Sequence, residues 1–288
     1  MQILIADLSK EETQTFGLVL LSSGIDYQIR KDPDGWQILV NEDVYDSAAA
    51  LVQTYLYENR SFRTVPDTKA GKYPKTFAGL WGALVILTFH VAISTGHDAR
   101  SFIQTYGSSA RRILDGEWYR SATSLLLHGD YVHLAGNIAG LSVFGTAVCS
   151  VMGWGVGWAL ILLTGMLGNL VNAGFYQTGH NAIGASTAVF GAVGLLSAYQ
   201  FIKKIMLAGE RFQAFLPIGA GFALLAFLGA AVQTDIMGHL FGFLSGLVVG
   251  TAYTFFEKRP VRQSYQTGAL ILTLAVLAGA WLYPILNN

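Results

Sequence analysis

Apolar and polar positions divide the chain near residue 77. Before that point apolar residues come in short periodic groups; after it they come in long runs. Residues 1–6 predict a strand, and Ser9 or Glu12 through Leu21 predicts a helix with Phe16, Val19 and Leu20 on one side. Residues 26–30 and 35–40 predict two strands around the turn Lys31-Asp32-Pro33-Asp34-Gly35. Residues 44–57 predict a second helix, with Ala48, Leu51, Val52 and Leu56 at helical spacing. The order βαββα points to a small soluble α+β domain of ferredoxin-like type over residues 1–60. No grouping in it carries chemistry, and its acidic residues suit a solvated surface. Residues 61–76 are polar, contain Pro66, Gly71 and Pro74, and read as a linker.

The runs that follow approach or exceed the ~18–20 apolar residues that cross a bilayer. They predict spans at about 77–95, 131–152, 154–176, 184–203, 213–233, 236–256 and 267–286. Lys69, Lys72 and Lys75 precede the first span, Lys203, Lys204 and Arg211 follow the fourth, and Lys258, Arg259 and Arg262 follow the sixth. Basic residues favour the cytoplasmic side, so these three segments share it and the N-terminus is cytoplasmic. The segments near 177–183 and 234–235 and the C-terminus then face outward. Residues 96–130 are different: Arg100, Arg111, Arg112 and Arg120 alternate with Ile113, Leu114, Trp118 and Tyr119. That mixture predicts a structure lying in the membrane interface.

Composition agrees with a polytopic membrane protein: 52% of the 288 residues are hydrophobic, 12% are charged, and the mean hydropathy is +0.44. The 33 glycines suit close helix packing in lipid. A net charge of zero suggests no nucleic-acid partner. The single Cys149 excludes an internal disulfide and supplies no metal framework. The first residues carry no basic start and are not expected to be a signal peptide.

Candidate chemistry centres on Gly184-Ala185-Ser186-Thr187-Ala188-Val189-Phe190-Gly191, one hydroxyl among small residues at the start of a span. A serine there either bonds a backbone carbonyl within its own helix or acts as a nucleophile, which needs a base and an oxyanion site at the same depth. The second, fourth and sixth spans all run inward from the outer side. Their first residues include His128, His133 and Asn137; Ser186; and Gly238 and His239. At 1.5 Å per residue these groups share a depth within about 10 Å of the surface. Polar groups inside a membrane are costly and are functional suspects. His133 and Asn137 are four apart and share a helix face, where both can donate to one developing oxyanion. Gly238, Gly242, Gly246 and Gly250 form a row of small residues that lets the sixth span approach another backbone. If the fourth span's small face, Ala188, Gly191 and Ala192, is what it meets, His239 comes within reach of Ser186.

With these residues in hand the chain resembles the rhomboid intramembrane serine proteases. The resemblance rests on Gly184-x-Ser186, His128-x4-His133-x3-Asn137, Gly238-His239-x2-Gly242-x3-Gly246 and Glu117-Trp118-Tyr119-Arg120. It implies an all-α core of six spans over 77–256 and a seventh span in 257–288, of six-plus-one type. It implies Ser186 as nucleophile and His239 as general base, with His133, Asn137 and the Ser186 N–H holding the oxyanion. Gly184 matches the small residue of the serine motif, and His128 a structural histidine. Trp118 and Arg120 match the motif that anchors the interfacial segment. Two positions depart from the family pattern. Thr187 replaces a glycine and is expected to crowd the oxyanion region, and Phe190 replaces a tyrosine whose ring packs on the base.

The implied reaction is hydrolysis of a peptide bond in or near a transmembrane segment of a membrane-protein substrate. No cofactor is required, and the setting is a bacterial inner membrane with the site open to the outer side. No acid completes a triad: Asp235 is better placed to cap the sixth span than to orient His239. The phenylalanines of the fifth span, Phe215, Phe222 and Phe227, fit either a lateral gate or packing against lipid. One alternative is an inactive rhomboid-like protein that binds membrane helices. A transporter or metal protein using His128, His133 and His239 would want more carboxylate or thiolate ligands than Asp130 and Asp235. Substrate, oligomeric state and the role of residues 1–60 stay open.

Overall fold

The computed structural model describes residues 1–32, 35–59, 76–96, 98–205, 211–229, 235–256 and 261–287. It divides into two compact units, Met1–Asp67 and Thr68–Asn288. The linker expected at 61–76 and the tip of the first hairpin lie almost wholly outside the described residues.

The first unit holds β1 (Gln2–Leu8), α1 (Lys10–Ser22), β2 (Tyr27–Asp32), β3 (Gly35–Val40) and α2 (Tyr45–Glu58). The helix start at Ser9 is a reciprocal capping box: Ser9 Oγ accepts from the Glu12 N–H, and the Glu12 carboxylate accepts from the Ser9 N–H. The sheet order is β1-β3-β2, with β3 antiparallel to both neighbours. That order is what a split βαβ crossover gives. Leu8, Phe16, Leu20, Ile38, Val40, Ala48 and Val52 close its core.

The second unit is helical. Its elements are α3 (Ala78–Ser94), α4 (Ala99–Tyr106), β4 (Ser108–Ser109), α5 (Ala110–Leu114), α6 (Arg120–Thr123), α7 (Tyr131–Met152), α8 (Trp154–Tyr176), β5 (Asn181–Ala182), α9 (Ser186–Lys203), α10 (Leu216–Gly229), α11 (Ile236–Phe256) and α12 (Gln263–Asn287). Four of these, α7, α8, α11 and α12, are long and apolar enough to cross a membrane. Ala78–Ser94 and Phe212–Phe227 are apolar but shorter. The end of the expected fifth span, 230–233, lies outside the described residues.

The most enclosed helix is α9, buried along one side after another from Thr187 to Ile202. It meets α11 through glycines. A Cβ on Gly246 would lie 2.9 Å from the Gly194 Cα, and one on Gly250 would lie 2.9 Å from the Leu195 carbonyl oxygen. One on Gly194 would collide with the Phe243 carbonyl. The small faces therefore do meet, and backbone approaches backbone with no room for a side chain. α7 widens into a π turn at Leu141–Gly145, and Gly79 of α3 packs against that turn.

Two contacts fasten α12. Gln266 is fully buried; its Oε1 accepts from the Gly155 and Val156 N–H groups at 2.9 and 2.8 Å, and its Nε2 donates to the Met152 carbonyl at 3.2 Å. It thus caps the start of α8 from another helix. At the other end Trp281 packs on Tyr106, with ring centroids 4.3 Å apart, and on Phe102 at 5.4 Å.

The segment 98–127 is a compact structure built on Arg120, which is 1% exposed. Its Nε donates to Glu117 at 2.6 Å, and its Nη1 donates to the carbonyls of Gln104 and Gly107, both at 2.8 Å. Trp118, expected to share this anchoring, is 69% exposed. The neighbouring Tyr119 takes the place, donating to Glu117 at 2.9 Å and to the Thr105 carbonyl at 3.2 Å. Backbone hydrogen bonds close the turn at 117–121, and within it Tyr119 is half-buried while Trp118 is exposed.

Candidate active site

Ser186 is the first residue of α9, and the loop before it is held by backbone on both sides. β5 pairs with β4, and the Gly184 N–H donates to the Ser124 carbonyl at 2.9 Å. Gly184 has φ +126°, a conformation L side chains rarely adopt. A side chain there would also collide with the His133 ring. Glycine is thus required by conformation and by space, and the second requirement brings the α7 imidazole against the residues that lead to Ser186.

α7 begins at Asp130, whose carboxylate accepts from the His133 N–H at 2.8 Å. This cap fixes the turn that carries His133, and Asn137 follows one turn later on the same face. Asn137 is 4% exposed, and its Nδ2 is buried without a hydrogen-bond partner. That nitrogen lies 3.4 Å from where a Gly184 Cβ would be. A buried amide donor left unspent is a costly feature, and here it faces the backbone beside Ser186. His128 is buried; its Nε2 accepts from the Ala185 N–H at 3.5 Å, and its ring centroid is 5.3 Å from that of His133.

His239 lies in the first turn of α11 and is 7% exposed. Its ring stacks on Phe190, centroids 4.6 Å apart and planes 23° from parallel. Phe190 is one turn beyond Ser186, so the stack sets the imidazole beside the opening of α9. Among the described residues no hydrogen bond joins Ser186 to His239, and His239 Nδ1 is buried without a partner. Asp235 does not orient that ring. Its Oδ1 accepts from the Gly238 N–H at 2.9 Å as a helix cap, and its Oδ2 accepts from Asn172 at 2.8 Å and meets His180 Nε2 at 2.9 Å.

A small cavity of about 10 Å³, roughly the room one water molecule needs, is lined by Ser124, Asn169, Gly184, Ser186, Thr187 and Asp235. A larger one of about 420 Å³ shares Ala182 and Ile183 with it and is bordered by Gln104, Ser108 and Arg112. Thr187, expected to crowd the oxyanion region, turns its methyl elsewhere. A Cβ on Gly168 would lie 2.6 Å from Thr187 Cγ2, and one on Gly242 would lie 3.1 Å from it. The methyl fills a notch between α8 and α11 that two glycines leave open.

Several residues of the site escaped the sequence reading. Asn169 Nδ2 donates to the Ser121 carbonyl at 2.9 Å and to Ser124 Oγ at 3.2 Å, tying α8 to the segment before α7. Asn172 and His180 meet at Asp235. The signal for the two asparagines was present: they are amides inside an apolar run, where polar groups are suspect by default.

Fold and site together define an integral membrane protein whose buried helix opens with Ser186 and stacks Phe190 on His239 of the neighbouring helix. The chain belongs to the rhomboid family, since the Rhomboid domain model matches residues 115–256. The chain is 28% identical over 209 residues to the rhomboid protease GluP of Bacillus subtilis, covering 70% of this chain and 39% of that protein. It is 29% identical over 170 residues to inactive rhomboid protein 2 of Homo sapiens, covering 59% of this chain and 20% of that protein. It is 30% identical over 143 residues to the chloroplastic Rhomboid-like protein 11 of Arabidopsis thaliana, covering 46% of this chain and 51% of that protein. The chain thus spans well under two thirds of the length of these three relatives. The family that the serine, histidine and asparagine motifs resemble is the family that the comparison returns.

Proposed function

We propose that this protein is an intramembrane serine endopeptidase acting through a Ser186–His239 dyad on transmembrane protein substrates. The observation that carries the reading is the glycine-lined contact of α9 and α11, which sets His239 on Phe190 beside the first turn that opens with Ser186. His239 takes the Ser186 proton as the hydroxyl oxygen attacks the scissile carbonyl. The tetrahedral oxyanion accepts hydrogen bonds from Asn137, His133 and the Ser186 N–H. The proton passes from His239 to the departing amine, and an acyl-enzyme remains. A water, activated by the same imidazole, then hydrolyses the ester. The unspent Asn137 donor supports this assignment, because it has no other partner to lose on binding the oxyanion. Catalytic hydrogen bonds often tighten only in the substrate complex, so an open Ser186–His239 pair is compatible with the dyad.

In this reading seven spans cross a bacterial inner membrane, residues 1–60 are cytoplasmic, and the site opens outward. A scissile bond must leave its helix before its carbonyl can be attacked, which favours substrates that unwind easily. Phe215, Phe222 and Phe227 are 58%, 45% and 79% exposed, a row that suits contact with lipid or an entering helix.

The second reading is an inactive rhomboid that binds membrane helices. The 29% identity to inactive rhomboid protein 2 over 170 residues supports it. One assay separates the two: purified protein in detergent with a fluorogenic transmembrane substrate. Ser186→Ala and His239→Ala each abolish turnover if the dyad operates, and Asn137→Ala lowers kcat by about 10²–10³. Full turnover by either dyad variant rejects the mechanism, and no turnover by the unaltered protein favours the binding reading.

A further inference from the structure

The cluster of Asp235, His180 and Asn172 has no part in the dyad chemistry, yet it ties together three elements that the dyad depends on. Asp235 caps α11 four residues before His239, and its own carbonyl accepts the His239 N–H at 3.0 Å. His180 begins the loop that leads through β5 and Gly184 to Ser186. Its backbone carbonyl accepts from the Ala110 N–H at 2.9 Å, and its ring lies on Tyr176, centroids 4.0 Å apart and planes 11° from parallel. Asn172 projects from α8 and is 2% exposed. One carboxylate oxygen, Asp235 Oδ2, receives both side chains, at 2.8 Å from Asn172 and 2.9 Å from His180. The other oxygen is held by the Gly238 N–H at 2.9 Å.

We infer that this cluster is a clamp: Asp235, held by His180 and Asn172, fixes the first turn of α11 relative to the nucleophile loop and so sets the separation of His239 from Ser186. The inference rests on the dyad reading and deepens it. The physical case is one of leverage. Below Gly242 the two helices are locked by glycine contacts, but the first turn of α11 lies above that lock. There the stack on Phe190 restrains the ring in one direction only. Hydrogen bonds from a rigid helix and from the serine loop itself supply the missing restraint. These residues touch neither substrate nor reacting atoms in the mechanism; they are positioning residues.

His180→Ala is the diagnostic variant, because it breaks the tie to the loop and leaves the Asp235 cap on Gly238 intact. His180→Gln retains a donor, and Asp235→Ala removes both functions. Each full-length variant is purified in detergent and read in three ways: amide hydrogen exchange across 236–242, the rate at which a fluorophosphonate probe labels Ser186, and kcat and KM on the fluorogenic substrate. Exchange at the start of α11 should rise about tenfold or more in His180→Ala, as a local opening loses its restraint. Labelling rate and kcat should fall together, by about 10- to 100-fold for a displacement near 1 Å, with KM little changed. His180→Gln should recover most of both. Unchanged exchange and unchanged labelling in His180→Ala overturn the clamp. If the unaltered protein is not labelled while His180→Ala still raises exchange, the tie stands and the dyad reading falls. If labelling depends on Ser186 but not on His180, the dyad stands and the clamp falls.

Discussion

Replacing Thr187 with glycine restores the residue that the rhomboid pattern has at this position, and it separates two views of how this site works. If the threonine crowds the oxyanion, its removal raises kcat. The structure instead puts the methyl in the notch between Gly168 and Gly242. Thr187 is 5% exposed, so its methyl and methine carbons are almost wholly buried. At ~0.8 kcal/mol for each buried carbon group, their loss costs about 1.5 kcal/mol. A glycine in place of a side chain within a helix costs about 0.5–1 kcal/mol more. Thr187→Gly should therefore destabilise by about 2–2.5 kcal/mol. Equilibrium unfolding in mild detergent reads that loss, and turnover of the transmembrane substrate below the transition reads the chemistry. Turnover should stay within about threefold of the unaltered enzyme, since no oxyanion donor moves. Thr187→Ala, which keeps the methine carbon as a methyl, should lose about 0.8 kcal/mol, roughly a third as much. A Thr187→Gly enzyme that is as stable as the original and tenfold faster would refute the reasoning, because the side chain would then obstruct the site and support nothing.

Gln266→Leu leaves two N–H groups at the start of α8 without their acceptor, and at about 1–3 kcal/mol for each it should cost about 2–6 kcal/mol. Unfolding titrations check this, and a loss below about 0.5 kcal/mol, the size of an ordinary surface substitution, would mean that water replaces the cap. At Glu117, burial pushes the carboxyl up, but hydrogen bonds from Arg120 and Tyr119 more than offset it and hold the group below its ordinary value of 4.5. A depressed folded value contributes stability above about pH 4.5 that is lost as the pH falls through the folded value. The stability difference between the unaltered protein and Glu117→Gln should therefore be constant near neutrality and close below pH 4.5, as measured by thermal unfolding across that range.

The sequence carried the small sheet domain well, because Ser9 and Glu12 announce a helix start and alternate apolar residues announce the strands. It carried the approach of α9 to α11 equally well, since glycines four apart on an apolar helix leave few purposes other than close packing. His133, Asn137 and His239 were singled out for a related reason: a polar group inside an apolar run is expensive where it stands and is a functional suspect. What escaped has a different physical character. The notch that receives Thr187 is formed by Gly168 of a third helix, and no local pattern reports a contact among three helices. The direction of Trp118 against Tyr119 depends on a single turn, and neighbours in sequence there take opposite environments. Asp235 was legible as a cap because a cap is local. Its partners His180 and Asn172 were not, because they reach it from 55 and 63 residues away.

Packing and chemistry use the same surface in this protein, and that shapes what can vary. The glycines of α11 admit no side chain, so the two helices have one relative position and little freedom to trade it for another. Such rigidity fixes the depth of the start of α9 relative to the start of α11, which the proposed dyad needs. It does not extend to the first turn of α11, where glycine contact gives way to hydrogen bonds. In the proposed dyad, movement of that turn alone would change the separation of His239 from Ser186 without rearranging the bundle. On the proposed clamp, that turn is held by the Asp235 carboxylate, which Asn172 and His180 share, and these groups lie outside the serine and histidine motifs that the resemblance rests on.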